Sequence, residues 1–169
     1  AMGELTRYRR MIRRPNKDDE ELPVIFNDYM NCLFGDPTTA KELPLIDAAS
    51  ACGCEYYVID AGWYAPGEWW DSVGEWKECR DRFPNGIKEV TDCIRKKGMV
   101  PGVWLELEVM GINCEKAKKA PDDWFFVRHG KRVYDRSRYQ LDFRNPAVIE
   151  HVNEVIDRVV KEYGVGYIK

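Results

Sequence analysis

Carboxylates, aromatic rings and a lysine stand where the apolar, strand-like segments of this sequence end. In chain order they are Asn27, Asp28 and Tyr29, then Asp60 and Trp63, then Trp104, Glu106 and Glu108, and finally Lys169. In folds that alternate strands and helices, functional residues gather at the carboxyl ends of parallel strands. Sugar hydroxyls hydrogen-bond to charged groups, and the C–H face of a sugar packs on an aromatic ring. The pattern therefore indicates a carbohydrate site.

Asp60 is the strongest single indication of function, because it follows the apolar run YYVI. A carboxylate in such a run is costly unless it is paired. The alternation in WLELEV predicts that Trp104, Glu106 and Glu108 share one strand face, which in a barrel is the wet upper interior.

The other candidates have ordinary explanations as well. Trp104 alone is typical of a core, Arg138 of an ion pair and Lys169 of a solvated terminus. Trp69, Trp70 and Trp76 fall in one loop of a chain with six Trp, which favours a binding wall over packing.

Composition excludes several classes of protein. The formal net charge is −3, and the basic residues between Arg7 and Arg14 are cancelled by acidic residues 18–21, so no nucleic-acid partner is expected. No segment approaches the ~20 apolar residues of a membrane span, and no signal peptide is visible, so we expect a cytoplasmic protein. The six cysteines form no CxxC pair and the two histidines are far apart, so we expect free thiols, no metal and no cofactor.

Strand and helix patterns alternate from Pro23 onward. Strands are predicted at PVIFNDY, EYYVIDAGWY, MVPGVWLELEV and VGYIK, and helices from Thr38 to Gly53, at GIKEVTDCIRKKG and from Asn145 to Gly164. A short helix is expected near Cys114 to Ala120, and a hairpin turning at residues 129–131. This order predicts an α/β fold with a parallel sheet, either part of a barrel or a small doubly wound domain.

Several ordered motifs resemble the catalytic barrel of glycoside hydrolase family 36, the α-galactosidases of melibiase type. They are VIDAGWY, VGEW, RFPNGIKEV, KKGMVPGVWLELEV, PDDWFF, RSRYQLDFRNPAV and GVGYIK. The resemblance implies that residues 23–169 are the first four β/α units of an incomplete (β/α)8 (TIM) barrel. Residues 1–22 are then a charged leader, with a possible tag remnant at residues 1–3.

The resemblance also implies roles for individual residues. Asp60 accepts hydrogen bonds from the O4 and O6 side of galactose, Trp104 and Tyr29 form apolar walls, and Arg138 and Lys169 donate to ring hydroxyls. Trp63 and Trp76 fall in motifs that line the pocket. The sequence departs from the family at three positions: Ala61 stands where a second Asp is frequent, Tyr29 where Trp is common, and Leu107 replaces Pro in the family's E-P-E.

The same resemblance places the family's catalytic residues outside this chain. The nucleophile is an Asp in a motif that begins like YIK, so it is expected two residues after Lys169, and the acid/base follows the sixth strand. We therefore expect the chain to be a fragment of a retaining α-galactosidase. Its expected partners are α-galactoside oligosaccharides, which the fragment by itself is not expected to hydrolyse.

Two alternatives stay open, a non-catalytic carbohydrate-binding domain and a doubly wound domain with no role in sugar binding. A half barrel would leave strand edges open, so self-association is expected.

Overall fold

The computed structural model describes residues 2–169, without the side chain of Asn31. Ala1, the first residue of the possible tag remnant, lies outside the described residues. The α-helices are α1 (Met2–Ile12), α2 (Lys17–Glu21), α3 (Thr39–Ala51), α4 (Ile87–Lys96), α5 (Glu115–Lys119) and α6 (Pro146–Asp157). The strands are β1 (Ile25–Asn27), β2 (Tyr56–Ile59), β3 (Val100–Val103), β4 (Val109–Gly111), β5 (Val127–Arg128), β6 (Lys131–Arg132), β7 (Tyr134–Asp135), β8 (Arg138–Gln140) and β9 (Tyr167–Ile168).

A parallel sheet in the order β1-β2-β3-β9 forms the centre of the molecule. A helix precedes each strand after the first: α3 lies before β2, α4 before β3 and α6 before β9. The prediction of an α/β fold with a parallel sheet is therefore confirmed. That these strands are the first four of an eight-stranded barrel stays a prediction.

The helices begin and end where local chemistry predicts. Thr38 caps α3, its hydroxyl accepting a hydrogen bond from the amide of Lys41 at 3.3 Å, and Gly53 follows the helix with φ of 78°. Asn145 caps α6 by accepting from the amide of Ala147 at 3.0 Å, and Pro146 takes the first helical position. The last turn before Gly164 is a π-helical turn at Arg158–Glu162, a change of winding that the sequence does not signal.

The main core lies between the sheet and its helices. Apolar side chains from each element meet there and are fully buried, among them Ile46, Tyr57, Ile59, Ile87, Ile94 and Val155. A smaller cluster, which includes Met110, Phe125, Leu141 and Val148, lies beneath the segments between β3 and α6. Burial of these side chains stabilises the arrangement that brings the strand ends together.

The third strand is shorter than predicted. β3 ends at Val103, although the amides of Trp104 and Leu105 still donate to the carbonyls of Ile59 and Lys169 at 3.0 and 3.1 Å. Beyond Leu105 the chain leaves the parallel sheet, and β4 pairs antiparallel with β8. Residues 104–108 are therefore not part of a pleated strand as predicted, although Trp104, Glu106 and Glu108 still line one common cavity.

The predicted hairpin is present, since β5 and β6 pair antiparallel across His129 and Gly130. Both residues have positive φ, 53° and 71°, as a tight hairpin turn requires. A second hairpin joins β7 and β8 through Arg136 and Ser137, also with positive φ. This second turn escaped prediction because it contains neither Gly nor Asn.

The expected leader is helical, forming α1 and α2 with no buried residue in either helix. Asn16 caps α2, and the hydroxyl of Tyr56 donates to Asp18 Oδ1 at 2.6 Å, which attaches this segment to β2. No helix within residues 2–169 is long and apolar enough to cross a membrane.

Candidate sugar-binding site

Asp60 lies at the centre of the site, directly after β2. Its Oδ2 accepts a hydrogen bond from Asn27 Nδ2 at 2.6 Å and from Lys169 Nζ at 2.6 Å. Its Oδ1 accepts from the amide of Ala61 at 2.8 Å. Asn27 ends β1 and Lys169 follows β9, so the parallel register brings three strand ends to one carboxylate. The sequence-based expectation that these ends meet is confirmed for Asp60 and Lys169.

Arg138 lies on β8, across an open cavity from the strand ends. It forms an ion pair with Glu106, and its guanidinium stacks on the ring of Trp70 at 3.8 Å from the centroid. Its Nε is buried and has no hydrogen-bond partner among residues 2–169. The cavity measures about 490 Å³, and its lining includes Trp104, Glu106, Glu108, Arg138 and Lys169. The structure therefore brings three predicted site residues, Trp104, Arg138 and Lys169, to one cavity.

Aromatic rings continue this surface toward β1. Trp104 is half-buried and meets Trp69 edge to face at 5.5 Å, and Trp69 meets Tyr29 in the same way at 5.8 Å. The amide of Tyr29 donates to Asn27 Oδ1 at 3.1 Å. The rings of Tyr29 and Trp104 are thus linked through Trp69, a residue of the aromatic loop.

Trp63 and Trp76 do not line the cavity. They are 0% and 1% exposed, respectively, and their rings pack on each other with centroids 6.0 Å apart. Trp63 Nε1 donates to the carbonyl of Trp104 at 3.2 Å, and the ring of Trp76 meets that of Trp104 at 5.6 Å. The expectation that both residues line the pocket is corrected here, because both support Trp104 from within the core.

Two buried carboxyls lie next to the site: Asp28, one of the polar residues noted after the first strand, and Glu42, which was not singled out in the sequence. Asp28 is 1% exposed and Glu42 is 0% exposed. Asp28 Oδ1 accepts from the amide of Asp60 at 2.7 Å, and Glu42 Oε2 accepts from the hydroxyl of Tyr57 at 2.6 Å. A signal existed for Glu42, since Glu42, Ile46 and Ala49 recur with helical spacing on the buried face of α3.

Burial is the main cause of the raised pKa values of these two carboxyl groups. It raises the pKa of Asp28 to about 6, and it raises the pKa of Glu42 well above its ordinary value. The negative charge of Asp28 raises the pKa of Glu42 further, and two like charges so close together hinder ionisation of both groups at once.

Metal-binding groups are not assembled in the described part of the chain. No three His, Cys, Asp or Glu side chains within residues 2–169 are placed so that they could hold a metal ion. The six cysteines are free thiols.

Comparison with known proteins agrees with the motifs. The Melibiase family model matches residues 4–169. Alpha-galactosidase 1 of Pediococcus pentosaceus is 28% identical over 167 residues, which cover 96% of this chain and 23% of that protein. The chain therefore spans less than a quarter of the length of this curated relative.

Solved structures give the same result. The α-galactosidase AgaB of Geobacillus stearothermophilus superposes with a TM-score of 0.81 at 26% identity, covering 92% of this chain and 21% of that one. A variant of AgaA from the same organism, in complex with stachyose, superposes with a TM-score of 0.80 at 25% identity, covering 91% and 22%. The family predicted from the motifs is thus confirmed, and the chain belongs to the Melibiase family, the α-galactosidases of glycoside hydrolase family 36.

Proposed function

We propose that this chain forms the sugar-recognition part of a retaining α-galactosidase. Family membership supports the reaction class. The observation that carries the proposal is the convergence of Asn27, Asp60 and Lys169 at the carboxyl ends of three parallel strands. A carboxylate held there by two side-chain donors and one backbone amide is fixed in position, and one of the donors, Lys169, also lines the cavity.

Each group has a chemical role in this proposal. Asp60 accepts hydrogen bonds from hydroxyls on the O4 and O6 side of galactose. Lys169 has three donor protons and directs one at Asp60, so others can reach ring hydroxyls. Arg138 donates through guanidinium N–H groups that Glu106 does not use. Trp104 and Tyr29 provide apolar faces for the sugar ring.

The proposed ligands are α-galactoside oligosaccharides. Variants of AgaA from Geobacillus stearothermophilus were solved in complex with raffinose and with stachyose, which supports this class. Ala61, where the family often has a second Asp, offers no carboxylate for the axial O4, so selectivity for galactose over glucose should be weaker than in relatives with that Asp.

Catalysis in this proposal requires the rest of the enzyme. A retaining glycosidase needs two carboxyls about 5 to 5.5 Å apart, one as nucleophile and one as acid and base. The family resemblance assigns neither of them to a residue of this chain. We therefore propose that the chain by itself releases no nitrophenol from p-nitrophenyl α-galactoside.

Raffinose titration by calorimetry tests this proposal. Asp60→Asn should lower affinity by about 10- to 100-fold, because a charged acceptor of several hydrogen bonds is lost. Asp157→Asn is the matched control, since Asp157 is an exposed carboxylate on α6 that pairs with Lys161. Equal affinity of wild type and Asp60→Asn, or hydrolysis by the chain alone, would contradict the proposal.

We also propose that the chain self-associates through the open edges of its parallel sheet. Ile25 on β1 and Ile168 on β9 are 42% and 40% exposed, respectively, at the two edges. Unpaired strand edges are templates for pairing with another chain. Light scattering that gives a monomer mass at all concentrations would exclude this.

A further inference from the structure

Asp28 and Glu42 form a buried pair directly behind the site. Each carboxyl has one oxygen without a hydrogen-bond partner among residues 2–169: Oδ2 of Asp28 and Oε1 of Glu42. The other oxygens are occupied by the amide of Asp60 and the hydroxyl of Tyr57. The charge of Asp28 is among the causes that raise the pKa of Glu42, so the two buried carboxyls are neighbours. Both of these free oxygens are acceptors, so a hydrogen-bond donor is needed between them.

A single proton resolves this arrangement. Two ionised carboxylates in contact and away from water repel each other, and each would leave an acceptor unsatisfied. If Glu42 holds a proton on Oε1, it donates to Oδ2 of Asp28, and all four oxygens then have partners. The result is a continuous chain of donors and acceptors from the Tyr57 hydroxyl through Glu42 and Asp28 to the backbone amide of Asp60.

We propose that Asp28 and Glu42 share one proton and act together as a positioning unit for Asp60. The inference rests on the proposed function only in taking Asp60 as the group that binds the sugar. Asp28 acts on the backbone amide of Asp60, whereas Asn27 and Lys169 act on its carboxylate. Backbone and side chain of Asp60 are thus held separately, which limits the positions its oxygens can take.

The surroundings favour protonation of Glu42 rather than Asp28. Glu42 is fully buried on α3, and Asp28 receives an amide hydrogen bond that stabilises its ionised form. The titratable groups facing the pair are Tyr57, Asp60 and Cys32, and burial together with the charges of the pair raises the pKa of the Cys32 thiol. Lys41 contributes a positive charge near Glu42 and forms an ion pair with Asp36.

The first test counts the shared proton without using a sugar. Carbon-13 NMR of the chain, with Asp and Glu carboxyls resolved from pH 4 to 8, should show Asp28 titrating near pH 6 while Glu42 remains protonated at neutral pH. The amide resonance of Asp60 should shift together with the titration of Asp28. Ionisation of both carboxyls at pH 7 would overturn the proposal.

The second test asks whether the pair positions Asp60, through raffinose affinity at pH 7. Glu42→Gln offers an amide donor in place of the shared proton and should keep affinity within about threefold of wild type, whereas Glu42→Leu should lose about tenfold or more. Asp47→Asn, an exposed carboxyl-to-amide change on the same helix, is the control. If Glu42→Leu does not fold, the affinity of Glu42→Gln and the NMR titration together decide whether the proposal holds.

The outcomes separate this inference from the proposed function. If wild type binds no raffinose but the titration counts one shared proton, the proposed function fails and the proton-sharing pair stands. If wild type binds raffinose but Glu42→Gln loses affinity by tenfold or more, the proton-sharing pair is not the positioning unit and the inference is overturned.

Discussion

Lys169 Nζ lies 2.6 Å from Oδ2 of Asp60, although 109 positions separate the two residues in the chain. The contact exists because β9 joins the parallel sheet next to β3, with β2 on the other side of β3. The backbone of Lys169 is held by two hydrogen bonds to the end of the β3 segment, since its amide donates to Val103 and its carbonyl accepts from Leu105. The ammonium is thereby brought to a carboxylate two strands away.

Replacement of Lys169 by Met should weaken sugar binding more than it weakens the fold. The Lys169 side chain is 48% exposed, so solvent screens its ion pair with Asp60 and the contribution to stability is small. Raffinose affinity, measured by calorimetry, should fall about tenfold through loss of a charged donor. Lys161→Met removes a comparable exposed ion pair, with Asp157 at the end of α6, and serves as control. If the raffinose affinity of Lys169→Met is unchanged, Lys169 does not contribute to sugar binding.

Trp63→Phe should destabilise the protein without removing a sugar contact. The indole of Trp63 is fully buried, and its Nε1 donates to the carbonyl of Trp104. Loss of that donor leaves a carbonyl without its partner and should lower the free energy of unfolding by about 1–3 kcal/mol, measured by urea denaturation. A large loss of raffinose affinity with unchanged stability would mean that Trp63 contacts the sugar, as first expected.

The stability of wild type relative to Glu42→Gln should fall as pH rises. A folded-state pKa raised above the unfolded value gives stability that is present at low pH and is lost as pH rises through the folded pKa. Because the pKa of Glu42 is raised well above its ordinary value, wild type should lose up to about 1.4 kcal/mol per pH unit relative to the variant, beginning near pH 5.

Urea denaturation of both proteins at pH 5, 6, 7 and 8 measures this difference. His151, whose pKa is lowered by burial, destabilises the folded state as pH falls, but it is present in both proteins and cancels in the comparison. A difference independent of pH would mean that Glu42 has an ordinary pKa.

Gly62→Ala should disrupt the loop that follows Asp60. Gly62 has φ of 101°, and a β-carbon built there would lie 2.1 Å from the carbonyl oxygen of Gly35. The loops after β1 and β2 meet at this point, so the change should cost more than about 2 kcal/mol in thermal or urea unfolding. Gly67→Ala is the matched control, because a β-carbon there meets no atom within 4 Å. Comparable stability of the two variants would show that the loops can separate at low cost.

Local sequence signals were sufficient for the strands and helices of the parallel sheet and for the family. Caps at Thr38 and Asn145, apolar runs at the strands and Gly-containing turns act over a few residues, so they can be recognised without tertiary contacts. Asp60 was recognisable as a candidate site residue because a carboxylate after an apolar strand is costly unless it has partners.

Only the tertiary structure decided which side chains face the cavity. Trp63 and Trp104 look alike in sequence, yet Trp63 is enclosed by the rings of Trp76 and Tyr163 in the core and Trp104 lines the cavity. The pairing of Asp28 with Glu42 likewise depends on how α3 packs on the end of β1, and burial at that contact sets the acidity of both carboxyls. The sequence by itself determined the family and the order of the parallel strands and their helices, whereas long-range packing determined the geometry of the candidate site.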